Sequence, residues 1–404
     1  MNRRFVSNRL VWGSGLLAGL LAALLIQALW LPTSAPLDRS ALGHFAGKTS
    51  ARLPLSPRPL LIKHGWDVPS PKFVHNHVKA MEAMPFDGLV IGLPGLSHRV
   101  QRKSPISHSR FESVLAPVAA TRFTSLNHNF ALVYATSPGS YFAEYSVPVR
   151  NFARLARAAR AAGFVGIAYD NEEYFGSVSD YPEVCPGRTL AQCRTQARLR
   201  GRQIMDAMRT AWPSIRVLTL IGPWISEALT ARYLSPTMPY NDISGSNELM
   251  GSFFVGMAQS TVGTRAKVID GGEIYTARTR AQFSAVRWWQ ERGMPSTSGI
   301  IPKQLKPHWA DSVSAGFGVY DRPINGADMD VAIWRRTLAN ALRATDRYVW
   351  AYTERFDWWG GGWPPTRVPR LWVNATADAQ SRVRGRARSK LNVLNGLGQS
   401  QGTQ

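Results

Sequence analysis

The chain has 404 residues, 45% hydrophobic and 18% charged, which supports a large globular core and excludes a disordered or fibrous protein. Lys and Arg number 48 against 26 Asp and Glu, a net charge of +22 that would suit an anionic neighbour. The arginines are scattered and no zinc-finger or RNP signature accompanies them, so nucleic acid is not an expected partner.

At the amino end, Leu10 to Leu31 is an apolar stretch interrupted only by Ser14 and Gln27, long enough to span a bilayer as a helix. Arg3, Arg4 and Arg9 precede it, which favours residues 1–9 remaining in the cytoplasm. The best small-residue cleavage site, Thr33-Ser34-Ala35, is followed by Pro36, so an uncleaved signal anchor over 10–31 is expected rather than a removed signal. This places the chain in a bacterial inner membrane as a single-pass protein, with its folded domain in the periplasm or outside the cell. Residues 32–57, rich in Pro, Ser, Ala and Arg, read as a linker.

From 58 to 375, apolar strand-like runs alternate with amphipathic stretches. The first strand is Leu60 to Asp67, followed by a helix from Pro71 to Met84. Strands follow at Gly88–Leu93 and Asn129–Tyr134, and a helix at Val149–Ala162 leads into the run Gly163 to Asp170. A helix at Leu190–Trp212 precedes a strand at Ile215–Ile221. After a less regular region containing Asp242 to Glu248 come a strand at Ala266–Asp270, a helix around Arg280–Arg292, a strand at Gly299–Ile301, a helix at Asp328–Ala344 and a strand at Tyr348–Glu354. Wholly apolar strands separated by helices belong to a parallel sheet, and the number of them fits a (β/α)8 TIM barrel. A doubly wound sheet is the alternative, but the chain lacks a GxGxxG or GxxxxGK[ST] loop. Residues 376–404 are basic and polar, and read as a disordered tail.

The most informative stretch is Gly163 to Tyr174, an apolar run that ends in Asp170, Glu172 and Glu173 between Tyr169 and Tyr174. Asp170 and Glu172 are two apart and face the same way on an extended backbone, where like charges raise one pKa. The competing reading is a solvated acidic loop. Acids recur at the other strand ends: Asp67 beside Trp66, Glu248, Asp270 and Glu273 near Tyr275, then Glu354 and Asp357. In a barrel these ends converge on one mouth. The run Phe356 to Trp363 places Trp358, Trp359 and Trp363 in a Gly-rich loop, suggesting flat faces for sugar rings.

Strand-helix alternation, the acidic cluster after strand four, Glu273 in the strand-seven position and Tyr352-Thr-Glu-Arg-Phe-Asp-Trp-Trp359 after strand eight together resemble the (β/α)8 glycoside hydrolase superfamily. The resemblance covers roughly residues 58–375 and is one of layout. In its chitinase-like branch strand four ends D-G-x-D-x-D-x-E. Gly166, Asp170 and Glu172 match that pattern, while Val165 and Ala168 replace two aspartates. In the branch with acids after strands four and seven, the resemblance implies Glu172 or Glu173 as proton donor and Glu273 as nucleophile; Asn171-Glu172 is similar to that branch's strand-four ending.

The expected function is therefore a membrane-anchored, exported glycoside hydrolase acting on an envelope or extracellular polysaccharide by a two-carboxylate mechanism. Glu172, supported by Asp170, would be the acid, Glu273 the nucleophile or base, and Glu354 its substitute. Trp66, Asp67, Glu173, Tyr174, Glu248, Asp270, Tyr275, Asp357, Trp358 and Trp359 would bind or position substrate. The alternative is a non-catalytic glycan-binding barrel in an envelope or polysaccharide-secretion complex. No cofactor is expected, since the chain has no Gly-x-Ser-x-Gly, HExxH or nucleotide loop. No metal is expected either, because His75 and His77 fall on different helix faces. His64, near the end of the first strand, reads as a structural histidine or a mouth-lining one. Cys185 and Cys193, without CxxC spacing, read as a local disulfide or as two buried thiols.

Overall fold

The computed structural model describes residues 58–226, 248–322 and 329–399, with side chains through 385. The expected anchor at 10–31 and its linker lie outside these residues. Among the described residues no helix is long and apolar enough to cross a membrane.

Among the described residues nine strands form one sheet: β1 (Leu60–Gly65), β2 (Gly88–Ile91), β3 (Phe130–Tyr134), β4 (Gly166–Asp170), β5 (Arg216–Thr219), β6 (Lys267–Asp270), β7 (Val313–Ala315), β8 (Phe317–Tyr320) and β9 (Tyr348–Thr353). Every pairing is parallel, in the order β7-β6-β5-β4-β3-β2-β1-β9-β8. The two ends of this order are consecutive in the chain, separated only by Gly316. β7 and β8 are thus one bent strand, paired with β6 along its first half and with β9 along its second. Counting that strand once leaves eight staves, and the sheet closes as a parallel barrel.

Two apolar clusters show which way each stave faces. Leu60, Ile62, Val90, Phe130, Leu132, Ala168, Leu218, Ile269 and Trp350 fill the barrel interior. Leu61, Ile91, Ala131, Val133, Ile167, Val217 and Val268, the alternate positions, pack under the helices. The helical layer comprises α1 (Pro71–Glu82), α2 (His108–Ala119), α3 (Ser146–Ala161), α4 (Leu190–Ala211), α5 (Met250–Thr261), α6 (Arg280–Trp288), α7 (Val331–Ala344) and α8 (Arg370–Gln399). Ser70, Ser107, Thr189, Thr279 and Asp330 cap five of these, each accepting from a first-turn backbone N–H.

Three expectations need correction. Gly299–Ile301 is not a strand; the seventh stave is Val313–Tyr320. Its run Ser-Ala-Gly-Phe-Gly looks like a turn in sequence, but the missing side chain at Gly318 makes room for Trp350, whose ring would lie 2.6 Å from an added Cβ. Because β6 is therefore the sixth stave, Glu273 follows strand six and not strand seven, which ends at Tyr320. Finally, the segment beginning at Thr376 is not a disordered tail: it continues α8 to Gln399. Its buried Thr376, Ala379, Gln380 and Val383 dock on the barrel, which sequence polarity concealed. Thr376 accepts from the Trp334 indole (2.9 Å), and Gln380 donates to Asp87 at the foot of β1 (3.2 Å).

Candidate active site

β4 alternates Gly166, Ala168 and Asp170 toward the interior, so its extension carries Glu172 to the same side. β9 does the same with Trp350, Tyr352 and Glu354, while Glu273 and Tyr275 follow β6. β4 and β9 stand four staves apart in the eight-stave ring, on opposite walls. Asp170 is buried at 3% exposure, whereas Glu172, Glu273, Tyr275 and Tyr352 keep part-exposed edges at the mouth. The acids facing a ligand are thus separated from the one beneath them.

Burial raises all of these carboxyls. Asp170 is pushed well up by burial and by the neighbouring Glu172. Glu273 is pushed well up by burial, then by Glu172 and Asp170, with an opposing hydrogen bond from Tyr275. Glu172 reaches only about 7: burial raises it, and the Tyr174 hydroxyl, which donates to its Oε2, favours the ionised form. Glu354 is raised mainly by burial and restrained by Tyr320, by Arg322 at 3.1 Å and by Trp66. The charge on Glu354 adds to the rise at Glu172, but Glu172 still ionises before Glu273, and its negative charge keeps the proton on Glu273.

The remaining acids serve the architecture. Asp67 pairs with buried Lys63 and accepts from Trp358 N (2.9 Å), fixing the β9–α8 loop to β1. Glu173 accepts from Val178 N and Ser179 N, both at 2.8 Å, and from the Ser179 hydroxyl. Glu248 accepts from Tyr181 N at 3.2 Å. Asp357 gathers the N–H groups of Trp359, Gly360 and Gly362 at 2.7–2.9 Å. Asp270 is fully buried on the outward parity of β6, accepts from Gly272 N (3.0 Å) and is pushed up to about 6 by burial. Cys185 in the long β4–α4 loop forms a disulfide with Cys193 in the first turn of α4.

Of the three tryptophans the sequence suggested as a platform, only Trp363 is exposed. Trp358 and Trp359 pack edge-on against Phe86 in the outer core, at 0% and 7% exposure, and present no face to a ligand. Trp363 is instead 48% exposed and stacks on Trp66, ring centroids 6.2 Å apart and planes 6° from parallel. Arg322 lies over the Trp66 ring at 6.0 Å. Tyr134 and Tyr320, not singled out in the sequence, join Tyr174, Tyr275 and Tyr352 around the acids. Tyr134 shares the inward parity of Phe130 and Leu132 and was legible on that ground; Tyr320 belongs to the unrecognised stave. Beneath them His64 is 3% exposed, its ring 5.4 Å from Tyr352, and neither ring nitrogen has a protein partner among the described residues.

No family model and no curated protein matches this chain. Among solved structures it is similar to exo-β-1,4-mannosidase from Opitutaceae bacterium strain TAV5, at 13% identity over 82% of this chain and 60% of that one, TM-score 0.43. It is also similar to a glycoside hydrolase family 5 enzyme from Prevotella bryantii B14, at 10% identity over 80% and 96%, TM-score 0.41. A third is 3-keto-D-glucoside 4-epimerase from E. coli, at 13% identity over 81% and 99%, TM-score 0.36. Likenesses this low assign no family.

Proposed function

We propose that the chain is a glycoside hydrolase of an envelope or extracellular polysaccharide, held at the membrane by residues 10–31. The observation that carries this reading is the pair Glu172 and Glu273, both part-exposed at one barrel mouth, with the charge on Glu172 raising the pKa of Glu273. Cleavage of a glycosidic bond needs one ionised and one protonated carboxyl. The local environments favour the roles opposite to those implied by the family resemblance. Glu172, assisted by Tyr174, is the carboxylate that attacks the anomeric carbon or activates water. Glu273, kept protonated by Glu172 and Asp170, donates the proton to the departing oxygen. Glu354, ion-paired to Arg322, and the Trp66–Trp363 stack hold sugar on the opposite wall.

Glu172→Gln and Glu273→Gln, screened on a polysaccharide panel and then on glycosides with activated aryl leaving groups, test the assignment. Glu172→Gln should abolish turnover on both, a loss of roughly 10³-fold or more, while Glu273→Gln should keep much of its rate on the activated substrate, which needs no proton. Equal rates in wild type and both variants would exclude the mechanism. The Trp66–Trp363 stack alone would equally serve a binding protein. That second reading is favoured if glycan is retained, nothing is cleaved and Glu172→Gln changes nothing.

A further inference from the structure

This inference rests on the hydrolase reading and concerns the class of glycan. Within α3 there are four arginines and no acid; within α4 there are five arginines and one aspartate, Asp206. The ratio of nine to one compares with 48 to 26 for the whole chain, so the general arginine content does not account for it. Asp206 is itself engaged by Arg202, Arg209 and Ser260. A face of one sign repels itself and is destabilising unless something anionic covers it.

This basic face continues to the mouth. Arg200 donates to the Tyr141 and Ala143 carbonyls at 2.7 Å, joining α4 to the β3–α3 loop. In that loop exposed Phe142 lies under the Arg188 guanidinium at 5.1 Å. Next along the lip, exposed Phe175 packs on His98 at 5.7 Å, and His98 lies in the field of exposed Arg99 and Arg102. Phe175 also touches Tyr134, which reaches Tyr174 and, through it, Glu172. Two exposed aromatic rings, one under the Arg188 guanidinium and the other against His98 with Arg99 and Arg102 acting on that histidine, therefore lead from the basic face to the acidic centre. Aromatic faces accept the apolar side of sugar rings, and guanidinium groups accept carboxylate or other anionic substituents.

We propose that the substrate is an anionic polysaccharide, entering across the α3–α4 face and the Phe142–Phe175 lip. The test uses full-length protein carrying Glu172→Gln, so that ligand is bound and not consumed. Its probes are polygalacturonate, the same polymer after reduction of its carboxyl groups, and anionic phosphatidylglycerol vesicles. Arg99→Gln/Arg102→Gln/Arg188→Gln removes the lip cations; Arg292→Gln/Lys303→Gln/Arg336→Gln removes equal charge elsewhere. Polygalacturonate should bind roughly tenfold more tightly than its reduced form, a preference of the size of a few partly exposed ion pairs, and only the lip variant should lose it. Equal binding of the two polymers, no binding of either, or equal losses in the two variants would overturn the proposal. So would vesicle binding that falls in the lip variant while polymer binding stays constant, which would assign the face to a membrane surface. Wild-type cleavage of a neutral glycan, without the charge preference, would leave the hydrolase reading intact. Charge-dependent retention with no cleavage of any glycan would instead remove the hydrolase reading alone.

Discussion

His64 shows the division between folding and function at a single position. Burying an imidazole whose nitrogens find no protein partner among the described residues costs about 1–3 kcal/mol, and its pKa is driven down to about 3 by burial and by Lys63, so the ring is neutral. Both nitrogens are buried below Tyr352, so the ring bears on folding and not on contact with a ligand. His64→Phe should therefore raise the melting temperature, measured by calorimetry on the two proteins. The acids titrate in a matching order. With Glu172 ionising near pH 7 and Glu273 above it, kcat/KM should fall as pH drops through about 7. A second fall should follow at higher pH, and Glu273→Gln on an activated substrate should lack that alkaline limb. The pairing of Asp170 with Glu172 could be read from alternation along one strand, since local geometry alone puts them on one face. The involvement of Glu273 could be named but not placed, because its partners come from another stave.

Among the elements, α8 illustrates how a charged terminal segment becomes structural. Asp87 accepts from Leu61 N (2.9 Å), Gln380 (3.2 Å) and Arg384 (2.6 Å), tying the foot of β1 to the last helix. Asp87→Ala should cost about 2 kcal/mol in urea unfolding, chiefly from the stranded buried donors of Leu61 and Gln380; the exposed ends of the arginine pairs add little. Polarity concealed the part of this helix beyond Ala375 because the residues buried there are Thr376, Ala379, Gln380 and Val383, only two of them apolar. The opposite problem hid α5. Eleven of its twelve residues are buried, so it shows no polar face from which a helical period could be recognised. Of the strands legible in sequence, β2 through β6 and β9 have no glycine in their upper halves, and β1 opens on Leu-Leu-Ile before it reaches Gly65. β7 and β8 are short, glycine-spaced and legible only once Trp350 is known to need their space.

For the molecule as a whole, burial of acids sets the pH at which it is most secure. Glu172, Glu173 and Asp321 are each pushed up to about 7 by burial, from ordinary values of 4.5, 4.5 and 3.8. The folded state thus holds these protons more tightly than the unfolded chain does. Their contribution is complete below the ordinary values and is lost as pH rises through about 7. The neutral His64 acts in the opposite direction, but its effect is complete above the ordinary histidine value of 6.5. Between about pH 6.5 and 8.5 the melting temperature should therefore decline, and Asp321→Asn should flatten part of that slope. The alternation of strand and helix made the barrel legible from sequence, because each stave had to be covered on both sides. How the ring closes was not legible, since closure depends on a contact between the two ends of the strand order.

That closure falls at Gly316. β1 and β9 share six register pairs and β3 and β4 five, while β6 and β7 share three and β2 shares two with each neighbour. Only the stave bent at Gly316 changes partners midway along its length, with one residue between β7 and its continuation β8, and a cylinder with one such hinged stave parts along it first. Amide protons of Val313–Ala315 should consequently exchange with solvent ahead of those in β1, β3 and β4. The first opening would carry the wall bearing Glu273 away from the wall bearing Glu354 while Glu172 stays seated, so catalytic competence would vanish before the molecule loses most of its secondary structure. Inactivation on warming should precede the loss of circular dichroism, with the gap between the two marking the strength of a single seam.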